Sequence, residues 1–317
     1  MKRITTLVCF SLSLMSCAQK EIKKENIMNE ENIQKVASIY KEVKTYDYNP
    51  QYKLHIGTAA NFSYELLIND FPVQINYVSG IVTGSIPINK SILKKGKQKL
   101  TVRMTPPVDK QFNMGTIIDF SIAELKLSIE YGDHTVEKYK DFKEVLSYKM
   151  PRMNEKLPYY EINLEFDAPA VPYENDVQGW SNSVDLSKED KDKLMKEVED
   201  FYKNMISFYE NKDVNALAGK YYNSQKEIAN SHYLNKKSDS QIVVDEWIKD
   251  VNESAPFIFN EYVLRFFGNG KIVQLAKTDK YYFNFSTLMR EEKDGNYTEY
   301  IMFLHRPKPG APLEVIR

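Results

Sequence analysis

Histidine, cysteine and carboxylate are the side chains that most often carry chemistry, and their spacing here is unpromising for catalysis. The four histidines, His55, His134, His232 and His305, stand apart, without the His-x-x-x-His or similar spacing that brings two imidazoles onto one metal ion. There is no Gly-x-Ser-x-Gly elbow, phosphate loop or dinucleotide fingerprint, so nucleophilic acyl transfer and nucleotide chemistry have no local signature. Acidic pairs such as Glu291-Glu292 lie beside a predicted turn and read as solvated. Carboxylates that hydrolyse glycosides need only meet in space, and nothing in the sequence nominates such a pair. Neither a metal ion nor a cofactor is expected. The two cysteines, Cys9 and Cys17, both fall in the first twenty residues.

That N-terminal stretch has its own logic. Met1-Lys2-Arg3 is a charged start, and Ile4 to Met15 is an uncharged, mostly apolar run of twelve residues. As a helix it would span about 18 Å, short of the roughly 30 Å hydrocarbon core, so it reads as a secretory signal rather than a spanning anchor. Leu14-Met15-Ser16-Cys17 resembles the lipobox of bacterial lipoproteins. The resemblance implies that residues 1–16 are removed and that Cys17 is lipidated and becomes the first mature residue. The 317 residues less those 16 leave 301, and losing Lys2 and Arg3 moves the formal charge from −1 to −3. No thiol would then remain for a disulfide or a nucleophile. Several acyl chains anchor firmly where one is marginal. Ala18 is not the aspartate that retains enterobacterial lipoproteins at the inner membrane, and Gln19-Lys20-Glu21 partly resembles the export signal of Bacteroidota lipoproteins. The expected location is therefore the cell envelope, at the outer membrane, on its periplasmic face or at the cell surface.

The elements that would position any site divide the chain. Residues 17–49 read as a lipidated tether leading into a short helix, with Ile33, Val36, Ala37, Tyr40 and Val43 at helical spacing. From 50 to 167 short strands follow one another. Asn69-Asp70 forms a hairpin junction, Leu100, Val102 and Met104 alternate, and Tyr160, Ile162, Leu164 and Phe166 share one face. Between 117 and 131 the apolar positions change parity near Ala123-Glu124, which calls for a bulge or a change of sheet. About eight such strands suggest an antiparallel β-sandwich. The passage from Ile86 through Ile92-Leu93-Lys94-Lys95-Gly96 to Leu100-Thr101-Val102 resembles immunoglobulin-like and jelly-roll modules.

Residues 168–184, with Pro169, Pro172 and Gly179, read as a linker. From 185 to 317 the pattern is α+β. Leu194, Val198, Phe201, Tyr202, Met205, Phe208 and Tyr209 make one helical stripe, Ser187 is the expected cap, and Asn211-Lys212-Asp213 breaks before a second helix. A third helix precedes a four-stranded antiparallel meander after Pro256, turning at Gly268-Asn269-Gly270. The element order resembles the cone-shaped NTF2-like family, and the resemblance implies a pocket in which His232, Tyr281, Tyr282 or His305 could act.

Charge and aromatics bear on partners. With 43 basic against 44 acidic side chains, nucleic acid is not an expected partner. Lys90, Lys94, Lys95, Lys97 and Lys99 form the densest basic run, suited in an envelope protein to anionic lipid or polysaccharide if it is more than a solvated loop. Trp180, Tyr159, Tyr160 and Tyr173 cluster around the linker, where they could stack on sugars, anchor a protein or glue the two domains together. With Tyr282 and His305 they complete the ligand-binding candidates. The sequence thus reads as a non-enzymatic envelope binding protein, recognising an envelope protein, a secreted toxin or a glycan. An enzyme working in the C-terminal cone and a structural or assembly lipoprotein are the alternatives. It leaves the oligomeric state open.

Overall fold

Asn69 and Asp70 take left-handed φ values of 53° and 61°, the two-residue turn whose twist suits a hairpin. They join β2 (Ser63–Ile68) to β3 (Phe71–Asn76) in a computed structural model that describes residues 23–77, 80–292 and 295–317. With β5 (Gly96–Thr105) and β10 (Tyr160–Ala168) these strands make an antiparallel sheet ordered β10-β5-β2-β3. A second sheet is ordered β4-β1-β7-β8, from β1 (Gln51–Ala60), β4 (Val82–Pro87), β7 (Glu124–Gly132) and β8 (Lys143–Lys149). Alternation decides what each face does: Tyr52, Leu54 and Ile56 of one sheet and Leu100, Val102 and Met104 of the other enter a single hydrophobic core. The parity change is a change of sheet. Ile118 in β6 (Ile118–Asp119) pairs with β9 (Lys156–Leu157), and the chain turns before β7, leaving Ile122 exposed at the corner.

Two short helices, α1 (Lys24–Ile27) and α2 (Glu31–Ala37), precede β1, and α2 buries Ile33 and Val36 in the core of the second half. That half contains α3 (Lys191–Glu210), α4 (Val214–His232) and α5 (Lys237–Asn252). The cap of α3 is Asp190, whose carboxylate accepts from Lys193 N at 2.9 Å, while Ser187 lies one turn earlier and bonds to Asp185. Lys212 takes the left-handed conformation at the α3–α4 break, and Asp213 caps α4. The stripe of Leu194, Val198, Tyr202, Met205 and Tyr209 is buried as its spacing requires. Tyr202 Oη donates to Met302 O at 2.9 Å and accepts from Leu275 N at 3.2 Å, so it fixes helix to sheet.

The sheet under the helices has four antiparallel strands, but not those of a simple meander. Its order is β11 (Tyr262–Phe267), β12 (Ile272–Lys277), β15 (Leu304–His305), β16 (Glu314–Val315), and β13 (Met289–Glu291) with β14 (Tyr297–Glu299) forms a separate hairpin. The expected third strand is interrupted because the Asp279 carboxylate accepts from both Tyr281 N and Tyr282 N and Asn284 adopts φ 65°. Aromatic rings pack in the enclosed interior: Tyr209 lies on Tyr300 with ring centroids 4.7 Å apart, and Tyr221 stacks on Trp247 at 5.6 Å.

A third apolar cluster takes Leu67 and Phe71 from the first half and Phe267, Ile272, Phe303 and Ile316 from the second, with Trp180 among them. Residues 168–184 carry Val171, Tyr173, Val177 and Trp180 into these cores. Among the described residues no helix is long and apolar enough to cross a membrane. Cys17 and the signal-like run lie outside the described residues.

Candidate functional site

The aromatic candidates are dispersed rather than gathered. Trp180 is 4% exposed and stacks on Phe71 at 5.0 Å, and Tyr173 is fully buried with its hydroxyl donating to Asn89 O at 2.9 Å. Neither presents a face to a ligand. Tyr159 and Tyr160 lie at the start of β10, where the exposed Tyr159 donates to Glu161 and Tyr160 packs edge-on to Phe120. Tyr282 rests against Tyr297 at 5.4 Å, and burial with a hydrogen bond to Glu291 raises its hydroxyl pKa to about 12.

His305 has the most suggestive neighbour. Its Nδ1 lies 2.7 Å from Ser183 Oγ in a cleft of about 300 Å3, with Glu314 opposite it on β16. A serine beside an imidazole can be a nucleophile and its base. Acyl transfer also needs donors aimed at the developing oxyanion. Here the backbone N–H groups of Gln178 and Gly179 both donate to Glu227 at 3.1 Å, and Arg317 Nη1 binds the same carboxylate at 2.9 Å. This anion cradle at the cleft is thus filled by the protein's own side chain. Burial holds His305 below its ordinary pKa despite Glu314 and Glu227.

A larger opening, about 870 Å3, lies where the β4-β1-β7-β8 sheet meets the end of α4. Its keystone is Asn89, which is fully buried in the turn after β4. Asn89 Nδ2 donates to Pro50 O and Ser231 O, both at 2.9 Å, and its Oδ1 accepts from Tyr52 N at 2.7 Å. Gln51 Nε2 donates to His232 O at 3.1 Å. These bonds fix three groups along the groove: Lys53 on β1, Lys90 beside the keystone and His232 in the last turn of α4.

Three lysines and two histidines face two aspartates in the groove lining. Burial, reinforced by Arg317, lowers the Lys90 pKa to about 8, and burial with Lys90 and Arg317 lowers that of His232 to about 4. Lys53 Nζ lies 2.9 Å from His134 Nε2. The two acids of the lining are occupied: Asp133 accepts from Asn49 N and Thr135, and Asp239 accepts from Lys236 N at the start of α5. Burial opposes ionisation of Asp133, but those hydrogen bonds prevail and its pKa falls. Among the described residues no group of three His, Cys, Asp or Glu side chains is placed to hold a metal ion.

His232 should make the fold acid-sensitive. Its folded pKa lies below the unfolded value of about 6.5, so the unfolded chain binds the extra proton and stability falls as pH drops from about 6.5 towards 4. His232→Gln is expected to flatten that part of the stability–pH curve, by on the order of 2–3 kcal/mol across the window. Urea midpoints at pH 7 and pH 4.5 check it, and an unchanged slope in the variant would refute it.

Sequence reasoning missed the groove. Its key residue, Asn89, is a polar residue in a loop whose three partners are distant, and Lys90 reads as one more lysine of a basic run. The structure divides that run. Lys94, Lys95, Lys97 and Lys99 are exposed, with Lys95 and Lys97 near Glu174 and Glu165, whereas Lys90 turns into the groove. Compared with protein-family models, curated proteins and solved structures, the chain matches none.

Proposed function

We propose that this chain is a lipid-anchored, non-enzymatic binding protein of the bacterial envelope, and that the groove at the end of α4 receives its ligand. One observation carries the reading. Apolar side chains pack the interiors of both halves, while the groove keeps amide and cationic groups at an open surface built by buried hydrogen bonds. Groups that both donate and accept, such as Asn235 at the rim, favour a glycan over a secreted toxin or an envelope protein. The finer fold belongs to the same proposal: the shared core of the two N-terminal sheets supports a β-sandwich, and three helices over a four-stranded sheet support an NTF2-like derivative.

The test is a glycan array probed with the full chain and with Asn235→Trp, which narrows the groove mouth. Hits lost in the variant support the reading. A blank array together with turnover of a small ester, abolished by Ser183→Ala, would move the function to the His305 cleft. The anchor is tested separately. Cys17→Ala is expected to abolish incorporation of labelled fatty acid and to remove the chain from the lipidated membrane fraction, because no other lipid attachment is proposed. Persistent labelling would refute the lipobox reading.

A further inference from the structure

We propose that the groove takes an acidic ligand and seats one carboxylate, sulfate or phosphate group against the Lys90 ammonium, with His232 beside it. The inference rests on the groove being a ligand site, and it adds the chemical class of what binds there.

Lys90 is partly buried, yet its ammonium has no hydrogen-bond or ion-pair partner among the described residues. Acceptors on the elements packed against its turn are already used. At the end of α4, Ala229 O accepts from Leu234 N at 2.9 Å, and Asn230 O accepts from Tyr233 N at 3.3 Å. Ser231 O accepts from Asn89 Nδ2 and His232 O from Gln51 Nε2. Glu227, the carboxylate beside Arg317, is bound by two backbone N–H groups and by that guanidinium. Arg317 itself donates to Lys90 O at 3.1 Å, so the lysine backbone is held by a second cation rather than by a counter-ion.

A cation drawn partly out of water, near a second cation and with no anion paired to it, is less favourable for folding than one that has such a partner. The arrangement is also rigid, because the three hydrogen bonds of Asn89 fix the residue before Lys90. Preorganised positive charge of this kind suits an oxyanion, which would replace the missing partner without rearrangement of the backbone. Lys53, His134 and Lys236 continue the lining, and the carboxylates of Asp133 and Asp239 in the same lining accept turn hydrogen bonds and neither pairs with Lys90.

The experiment titrates the full chain in detergent by calorimetry with an oligogalacturonate, a sulfated oligosaccharide, a phosphorylated oligosaccharide and a neutral oligosaccharide of matched length. At least one acidic ligand should bind ten-fold or more tightly than the neutral one, and which of the three does so identifies the anion. Lys90→Gln should reduce that affinity at least ten-fold and Lys94→Gln should leave it unchanged. Lys90→Gln should also raise Tm by about 2–4 °C, since it removes an unpaired charge. A lysine with a structural role would lower Tm instead, and that result would overturn the proposal. Equal binding of neutral and acidic ligands, blocked by Asn235→Trp but untouched by Lys90→Gln, would overturn the anion subsite and leave the groove reading intact. Absence of binding by every probe would overturn the acidic-ligand proposal, and an Asn235→Trp chain that keeps all its glycan-array hits would remove the groove reading beneath it.

Discussion

Glu65→Ala is expected to destabilise the protein by about 3–5 kcal/mol, read as a lower urea midpoint at neutral pH. Glu65 lies on β2 and is 3% exposed. Its carboxylate accepts from Arg265 Nη2 at 2.8 Å, Tyr77 Oη at 3.0 Å and Asn284 Nδ2 at 3.1 Å, with Arg103 Nη1 at 3.8 Å. Arg265 and Asn284 come from the second half of the chain, so one buried charge ties the halves together. Truncation strands the half-buried Arg265, whose Nη1 is already buried without a partner. The loss is therefore the cost of an uncompensated cation rather than the net worth of the pair. Replacing both partners, as in Glu65→Met with Arg265→Met, should recover most of the loss. A cost below about 1 kcal/mol for the single change would show that water reaches the site and screens it.

Legibility in the sequence follows the range of the interaction that fixes each element. The Asn69-Asp70 hairpin and the α3 stripe were readable because turn chemistry and helical spacing act within a few residues. β2 shows no alternation because both of its faces are buried, one in the N-terminal core and one against the second half, and that pattern hid the role of Glu65. The partners of Glu65 are up to 219 residues away, and those of Asn89 up to 142. No local pattern encodes such pairings. The third strand of the meander failed for the opposite reason: the Asp279 carboxylate competes locally for the Tyr281 and Tyr282 amides, and in a Tyr-rich stretch the strand signal masked that turn. Residue type marks the candidate aromatics, yet type says nothing of exposure, and Trp180 and Tyr173 are consumed by packing.

Trp180→Ala should cost about 3–5 kcal/mol and should also change the shape of unfolding. The indole stacks on Phe71 with planes 23° apart, Phe71 meets Phe303 at 4.9 Å, and the Arg317 guanidinium lies 5.8 Å from the ring centroid. Gly268, at φ 58°, lets the 268–270 turn come against the indole, where a Cβ would sit 2.9 Å from the Trp180 Cδ1 atom. Removing the ring leaves a cavity in an apolar cluster that draws buried side chains from both halves, while the larger cores keep theirs. Cooperativity should therefore fail at this seam first. A single calorimetric transition is expected to divide into two, and the stability lost should come mainly from the less stable half. Because Asn89 and Ser231 hold the groove across the same seam, Lys90 would lose its fixed position, and ligand affinity should fall although Trp180 contacts no ligand. If the transition stays single and affinity is unchanged, the coupling runs through the Asn89 and Glu65 hydrogen bonds instead.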